Sequence, residues 1–237
     1  MKPDFRIRSY EPELLDRPGI PFADIADNMR ELDVINTRLG GHRITLKGVQ
    51  ALLRYQVPGT VPHIAEIGCG GGDNLRAIRR WADARGLELR LTGVDYNPEC
   101  IAYAEGRAGN SGIAFVCSDY RNLRWSDKPD ILFSSLFCHH FTDGQLLEQL
   151  RWMGAQSRSG FFLNDLHRHP LAWYSIRLLT RLFSKSYMVK ADAPLSVLRA
   201  FRRAEWAGLL RGAGITRYRC SWQWAFRWLV LVHNHEQ

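Results

Sequence analysis

The chain has 237 residues, of which 46% are hydrophobic, and its formal net charge at pH 7 is +8. A chain of this length can bury one full core, so we expect one domain with appendages. No run of about 18 apolar residues is present, which argues against a spanning helix, and the polar N-terminus does not resemble a secretory signal. The five cysteines are scattered without a Cys-x-x-Cys pair. We therefore expect neither a disulfide framework nor a zinc site, and a cytoplasmic location.

The positive charge is concentrated near the C-terminus. Residues 168–237 contain 12 of the 32 Lys and Arg but only 3 of the 24 Asp and Glu. Such a basic region can contact nucleic acid, an anionic lipid surface or an acidic substrate. A solvated surface explains most of these arginines equally well, so the charge alone selects no partner.

Residues 1–59 are predicted to be mainly helical. Apolar residues recur at helical spacing from Phe22 to Leu39, and Gly40-Gly41 interrupts the pattern. A second helix is predicted from Thr45 to Tyr55, before Pro58-Gly59.

A glycine-rich turn follows the first predicted strand and is the most informative segment of the chain. Val61 to Ile67 is apolar and ends in the pattern Glu66-x-Gly68-x-Gly70-x-Gly72, with a helical pattern after it. Glycines allow a sharp turn and a close approach of the backbone to a ligand. Similar turns seat a pyrophosphate on a helix N-terminus. Glu66 is a poor neighbour for a phosphate, so the turn suits a ligand with a positive charge, such as a sulfonium or an amino group.

The segments after this turn alternate between strand and helix patterns. Apolar strands joined by helical crossovers imply a parallel sheet that is covered on both faces. Asp95 ends the second strand, at the place where an acidic residue normally binds ribose hydroxyls. Asp119 follows the third strand in the same way. The predicted strands are 61–67, 88–94, 112–117, 129–135 and 159–164, and the predicted helices are 73–85, 98–106 and 143–153.

A long insertion separates the fifth strand from the next predicted helix, Arg203 to Ala213. Its segment Leu171 to Phe183 has an amphipathic pattern with Arg177 and Arg181 away from the apolar face. Most such faces pack on a core, but a basic amphipathic helix can also line a substrate pocket or lie on a membrane. The position beyond a strand end favours the pocket. The apolar face consists of Leu171, Tyr174, Leu178, Leu179 and Leu182, and two aromatic-rich strands, Ile215 to Trp222 and Trp224 to His233, close the chain.

The order of these elements resembles that of the class I S-adenosylmethionine-dependent methyltransferases. The resemblance implies an α/β fold with a Rossmann-like sheet of seven strands, mostly parallel with the last strand antiparallel. It divides the chain into an N-terminal helical lid, residues 1–59, and a methyltransferase domain, residues 60–237, with a helical cap insertion at 168–202. It also implies S-adenosyl-L-methionine as cofactor and S-adenosyl-L-homocysteine as product.

The resemblance assigns a cofactor role to a set of residues near the strand ends. In the family, the acidic residue at Asp119 faces the exocyclic amine of adenine, and Asp95 takes the ribose. The predicted cofactor-binding residues are Glu66, Gly68, Gly70, Gly72, Asn74, Asp95, Tyr96, Asp119, Tyr120 and Ser135.

The segment Phe137 to Asp143 resembles the one that carries the catalytic histidine in plant-type small-molecule O-methyltransferases. His139 matches the base position, and His140 stands where those enzymes have an acidic residue. Similar His-His-Phe turns shape the cofactor pocket in quinone-biosynthesis-like methyltransferases. Because a histidine can deprotonate a phenol near neutral pH, we predict His139 as general base and His140 as second candidate. A structural histidine at a helix start is the alternative.

The residues after the fifth strand, Asn164 to His169, also point toward the acceptor. Metal-dependent catechol methyltransferases have an Asp-Asn pair there and an aspartate after the fourth strand, where this chain has Ser134-Ser135. With one oxygen ligand missing, we predict no metal site. Asp165 is expected to position the substrate or to partner the base. Predicted substrate contacts are His42, which lies in a turn that is either a connector or part of the lid, His167, and Trp173 in the insertion.

These features predict metal-independent O-methylation of a phenolic or polyketide-like small molecule. A bacterial group linked to secondary metabolism shares the Leu39 to His42 turn and the Asn164 to Leu166 motif. One alternative is an RNA or protein methyltransferase that uses the basic C-terminal region, although no Asn/Asp-Pro-Pro-Tyr motif or RNA module is present. Others are a quinone- or lipid-like acceptor at the membrane surface, with peripheral membrane contact, and a protein that holds the cofactor without transferring methyl.

Overall fold

The computed structural model describes residues 3–17, 19–56 and 59–234, which form a three-layer α/β fold around one seven-stranded sheet. The strand order is β3-β2-β1-β4-β5-β7-β6. Strands β1 to β5 pair in parallel, and β7 is antiparallel to both β5 and β6, as predicted. The strands are β1 (His63–Ile67), β2 (Arg90–Asp95), β3 (Ala114–Cys117), β4 (Ile131–Ser135), β5 (Gly160–Leu166), β6 (Tyr218–Gln223) and β7 (Arg227–His233).

Helices cover both faces of the sheet because the central strands are apolar on both sides. Every residue of β1 and β4 is buried. One face carries Phe133 and Phe162, whose rings stack 4.9 Å apart, and the other carries Leu132 and Phe161. The first face packs against α2 (Gly41–Leu53), α3 (Asp73–Asp83) and α4 (Pro98–Glu105), and the second against α5 (Asp143–Gln156) and α8 (Arg203–Gly212).

The two N-terminal helices have different places in the fold. The second begins at Gly41, not at the predicted Thr45, and packs directly on the sheet. A Cβ on Gly48 would lie 2.5 Å from the Phe162 ring, so the absence of a side chain allows this close approach. Helix α1 (Phe22–Arg38) packs against α2 and reaches the strand ends. Of the two, only α1 lies beside the strand ends, and the assignment of residues 1–59 as a lid stays a prediction.

The insertion after β5 folds into two helices, α6 (Pro170–Phe183) and α7 (Tyr187–Arg199), which pack on each other. An extended N-terminal segment lies beside them, and its Ser9 amide donates to the Leu198 carbonyl. This segment ends in a short 3₁₀ turn, Leu14–Asp16. In the described ranges, no helix is both long and apolar enough to cross a membrane.

Candidate active site

A cavity of about 500 Å³ lies at the carboxyl ends of β1, β2 and β4, where the glycine-rich turn forms its wall. Gly68 and Gly70 have φ of 69° and 48°, which favour glycine. A Cβ on Gly68 would lie 2.3 Å from the Phe137 ring, whereas a Cβ on Gly70 would meet only the Met29 sulfur, at 3.7 Å. The Gly70 amide donates to Asp95 Oδ2 at 2.9 Å, which fixes the turn against β2.

The Glu66 carboxyl group is buried at the base of this cavity. Its Oε1 accepts from the Asn74 amide at 2.9 Å, and Asn74 in turn accepts from the Thr45 hydroxyl. Glu66 Oε2 has no hydrogen-bond partner among the residues that the structure describes. Burial, with the nearby charges of Asp73 and Asp95, raises the pKa of Glu66 well above its usual value. The group is therefore a buried acceptor with one oxygen left for a ligand.

Carboxylates and aromatic rings line the rest of this cavity. Asp95 Oδ1 accepts from the Asn97 amide, and burial raises the pKa of Asp95. The guanidinium of Arg121 holds Asp119, and its hydrogen bonds lower the pKa of that carboxyl. Of the ten residues predicted to bind cofactor, all but Gly72 line the cavity. Gly72, with φ of 71°, forms the N-cap of α3 instead, where a Cβ would lie 2.9 Å from Phe115.

A second cavity of about 350 Å³ adjoins the first and is mostly apolar. Helices α1, α6 and α7 form its walls, together with the segment 224–227 before and at the start of β7. Its polar side chains include Glu13, His139, Asp192 and Arg227. The residues shared by both cavities are Leu15, Asn28, Leu32, Asn36, Leu136 and His140. Two ligands, one in each cavity, would therefore meet at this boundary.

His139 is buried in the wall of the second cavity and paired with Asp165. Its Nδ1 lies 2.8 Å from Asp165 Oδ1, and its backbone amide donates to Oδ2 at 3.3 Å. Burial opposes the ionisation of Asp165, but the charge and hydrogen bond of His139 hold the pKa of the carboxyl below its usual value. When Asp165 accepts the Nδ1 proton, the Nε2 lone pair of His139 is free to take a proton.

His140 has a similar arrangement but a more open position. Its Nδ1 lies 2.9 Å from Asp16 Oδ1, and it lines both cavities. The His139 and His140 rings are 4.5 Å apart. Both Nε2 atoms face Glu13, at 3.6 and 3.9 Å from its oxygens, which is longer than a hydrogen bond.

Glu13 is the site residue that the sequence did not indicate. It lies in the extended N-terminal segment, without helical or strand periodicity, and becomes part of the site only through the tertiary fold. Burial raises its pKa to about 7. The Ser196 hydroxyl donates to it at 2.9 Å, and Arg199 Nε lies 3.6 Å away. Arg199 also donates to the carbonyls of His139 and His140 and so connects Glu13 to the histidine turn.

Among the residues that the structure describes, two groups of side chains have the spacing of metal ligands. They are Glu13 with His139 and His140, and Asp33 with His42 and Asp73, each with ligand atoms within 4.8 Å of one another. In the first group, the Arg199 guanidinium already supplies a positive charge beside Glu13. In the second, His42 Nε2 lies 2.8 Å from Asp73 Oδ2, as in an ordinary hydrogen bond.

Comparison with known proteins identifies the fold. Residues 64–160 match a family model described as a methyltransferase domain. Plantazolicin methyltransferase BpumL, solved in complex with SAH, superposes with a TM-score of 0.65 at 18% identity, over 88% of this chain and 91% of that one. The chain therefore has the Rossmann-like fold of these methyltransferases, and residues 64–160 are similar to a methyltransferase domain. Human N-acetylserotonin methyltransferase, solved with SAM, has a TM-score of 0.61 at 17% identity, over 88% of this chain and 55% of that one.

The curated relatives match a shorter part of the chain than these solved structures do. Malonyl-[acyl-carrier protein] O-methyltransferase of Acetivibrio thermocellus is 30% identical over 104 residues, which are 41% of this chain and 35% of the relative. Trans-aconitate 2-methyltransferase of Streptomyces avermitilis is 33% identical over 85 residues, 34% of this chain and 30% of the relative. The matches thus span about a third of these relatives.

The three predicted substrate contacts do not line either cavity. His42 supports the glycine turn through its bond to Asp73. The His167 ring packs against Trp228, and burial lowers its pKa to about 4. Trp173 is buried on the inner side of α6. Each residue supports a wall of the site, and its contact with an acceptor stays a prediction.

Proposed function

We propose that this chain is an S-adenosylmethionine-dependent methyltransferase that methylates an oxygen atom of a small, largely apolar acceptor. The observation that carries the proposal is the pair of adjoining cavities. One contains a buried carboxyl group with a free oxygen, and the other contains a buried His-Asp pair. One curated relative is itself named an O-methyltransferase.

The first cavity fits the cofactor in size and chemistry. Its volume of about 500 Å³ lies within the usual range for small-molecule sites. Glu66 Oε2 offers an acceptor for the positively charged amino-acid end, and Gly70 leaves room for the ligand beside the turn. Asp95 and Asp119 provide carboxylates for the ribose and the adenine amine. When bound, the cofactor supplies an electrophilic methyl group on a sulfonium.

The second cavity supplies the acceptor side of the reaction. Its apolar walls exclude water and hold the acceptor against the cavity boundary, which favours in-line attack. His139 removes the proton from the acceptor hydroxyl through Nε2, and Asp165 fixes the ring orientation and stabilises the imidazolium that results. The Arg199 guanidinium and the buried Glu13 hold the histidine turn in place.

We infer that the walls of the second cavity suit a phenolic or polyketide-like acceptor. The methyl transfer itself is metal-independent in this proposal. Within the described part of the chain, the cavity has few polar groups and no second carboxylate at Ser134-Ser135 for a metal. The absence of a planar-amine motif after β4 disfavours nucleic-acid or protein amines.

Calorimetric titration with S-adenosylhomocysteine tests the cofactor assignment. We expect Gly70→Arg to abolish binding, because the new side chain must enter the cavity. Gly208→Arg is the matched control, since Gly208 lies in α8 with nothing within 4 Å of its added Cβ, and it should bind normally. Unchanged affinity in the Gly70 variant would refute the site. A separate screen of phenols with labelled methyl donor tests turnover.

A further inference from the structure

Helix α6 presents an apolar stripe to the solvent, not to the core. Leu171, Tyr174, Leu178, Leu182 and Phe183 are between 56% and 77% exposed. The first four follow helical spacing along one side, whereas the buried residues of the helix are Ala172, Trp173 and Thr180. Single exposed apolar residues are ordinary, but a contiguous stripe on one helix marks an interaction surface.

Cationic side chains border this stripe. Arg177 and Arg181 lie along one edge of it and are exposed, and Lys185 follows the end of the helix. The Arg177 guanidinium lies over the Trp173 ring, at 4.9 Å, which holds it beside the stripe. At the helix end, Glu31 accepts hydrogen bonds from the Lys185 and Ser186 amides and the Ser184 hydroxyl. Among the described residues, neither Arg177 nor Arg181 forms an ion pair with a carboxylate, so both are available to an anionic partner.

The stripe continues to the rim of the second cavity. Leu179 and Trp224 both line that cavity and are 38% and 68% exposed. The same helix thus contributes its inner side to the acceptor cavity, through Ala172 and Ile176, and its outer side to the exposed stripe. Leu179 and Trp224 therefore place the rim of this cavity beside the exposed stripe.

We propose that the outer face of α6 docks on an anionic lipid bilayer and that the acceptor enters the second cavity from that membrane. Apolar residues beside arginines are the pattern of a helix that lies in the headgroup region. A second copy of the chain fits less well, because a two-fold contact through this stripe would bring the arginines of both copies together. The docking is argued from the stripe and its arginines and does not require the proposed function. The entry of an acceptor rests on the proposed function.

Vesicle co-sedimentation of the full chain tests the docking. We expect the protein to sediment with vesicles of phosphatidylcholine and phosphatidylglycerol, and much less with phosphatidylcholine alone. High salt should weaken binding, because it screens the arginines. Failure to sediment with anionic vesicles at low salt would overturn the proposal.

Two variants separate the apolar and cationic contributions. Leu178→Glu/Leu182→Glu should reduce vesicle affinity by about tenfold or more, and Arg181→Glu by a smaller factor. Leu87→Glu, in the loop before β2 and 42% exposed, is the control and should bind like the native chain. Equal losses in all three variants would contradict a specific face.

Two further measurements distinguish membrane docking from dimerisation and from a failure of the proposed function. Size-exclusion chromatography with light scattering should show one mass across protein concentrations; a dimer that the Leu178/Leu182 variant dissolves would assign the stripe to a second copy and overturn the proposal. Binding of S-adenosylhomocysteine should be the same in every variant. If the native chain binds vesicles but not this ligand, the docking holds and the proposed function fails.

Discussion

At the residue scale, the proposed chemistry depends on carboxyl groups that the fold buries beside histidines. Asp165 is buried but ionised, because it accepts hydrogen bonds from the His139 ring and backbone. Glu13 is buried to a similar extent but lacks a hydrogen bond from either ring. The environment thus gives two neighbouring acids opposite pKa shifts. Such a division is typical of groups with different roles in proton transfer.

Replacement of the two histidines should show which one is the base. We expect His139→Ala to lower kcat on a phenolic acceptor by about 10²–10⁴, the usual loss for a general base. His140→Ala should have a smaller effect, because its partner Asp16 is more exposed. Steady-state kinetics of both variants measures this, with S-adenosylhomocysteine binding as the control for folding. A loss below about threefold for His139→Ala would make it a structural residue, and the reverse order would assign the base to His140.

The buried Glu13 should make stability depend on pH. Its pKa is about 7 in the fold against 4.5 ordinarily, so the folded state holds the proton more tightly than the unfolded chain. The stabilisation is complete below about pH 4.5 and is lost as the pH rises through about 7. Glu13→Gln, which stays neutral, should therefore be more stable than the native chain at pH 8, by up to about 3 kcal/mol, but not at pH 5.

Thermal melts of Glu13→Gln across this pH range measure the effect. Glu11→Gln, an exposed neighbour, is the matched control and should leave the pH dependence unchanged. Equal stability of the Glu13 variant and the native chain at pH 8 would show that Glu13 carries no buried charge.

The sequence predicts residues that follow strands better than residues that arrive from a distance. Glu66 and Asp95 lie at the ends of β1 and β2, Asp119 lies just after β3, and the carboxyl ends of parallel strands meet at one edge of the sheet. Asp165, near the end of β5, and His139, after the neighbouring β4, come together for the same reason. Glu13 follows no strand, and its place beside His139 is set by an extended segment whose docking has no local pattern.

At the element scale, this extended N-terminal segment connects the insertion to the histidine turn. Arg8 is buried, and its guanidinium donates to the carbonyls of His139, Phe141 and Arg199 and pairs with Asp143. The positions of Glu13 and Asp16 therefore depend on Arg8. An amphipathic pattern shows that α6 has an apolar side, but it does not show what that side contacts, which is why the prediction of a core or pocket contact was incomplete.

Removal of the Arg8 guanidinium should loosen this connection. We expect Arg8→Met, which keeps the unbranched apolar stem of the side chain, to destabilise the fold by about 2–4 kcal/mol, because several buried carbonyls lose their donor. Turnover should fall as well, since Glu13 is no longer held near His139. Urea unfolding and kinetics measure both effects. Arg6→Met is the control, since the Arg6 side chain is exposed and, among the described residues, bonds only to Asp4; if it behaves like Arg8→Met, the carbonyl contacts do not matter.

At the scale of the whole molecule, the sheet was predictable because its strands are short apolar runs separated by helical patterns. Strand order and direction follow from the parallel crossovers and the final antiparallel hairpin. The helical layer was less predictable, because periodicity does not distinguish α2, which packs on the sheet, from α1, which covers the site. The acceptor cavity forms between the N-terminal segment, α1, the insertion and the start of β7, so its lining combines parts that are distant in the sequence.

This composite cavity leads to a prediction about metals. Glu13, His139 and His140 have the spacing of a metal site, yet Arg199 and Ser196 already contact Glu13, and carboxylates hold Nδ1 of both histidines. Because a cation would compete with the Arg199 guanidinium for the same carboxylate, we expect EDTA treatment to leave turnover unchanged. Addition of Mg²⁺, Mn²⁺ or Zn²⁺ to the treated enzyme should not raise it. The opposite result is that EDTA abolishes activity, that one of these ions restores it, and that Glu13→Gln prevents the restoration. It would show that the three residues hold a catalytic metal and that His139 is its ligand and not the base.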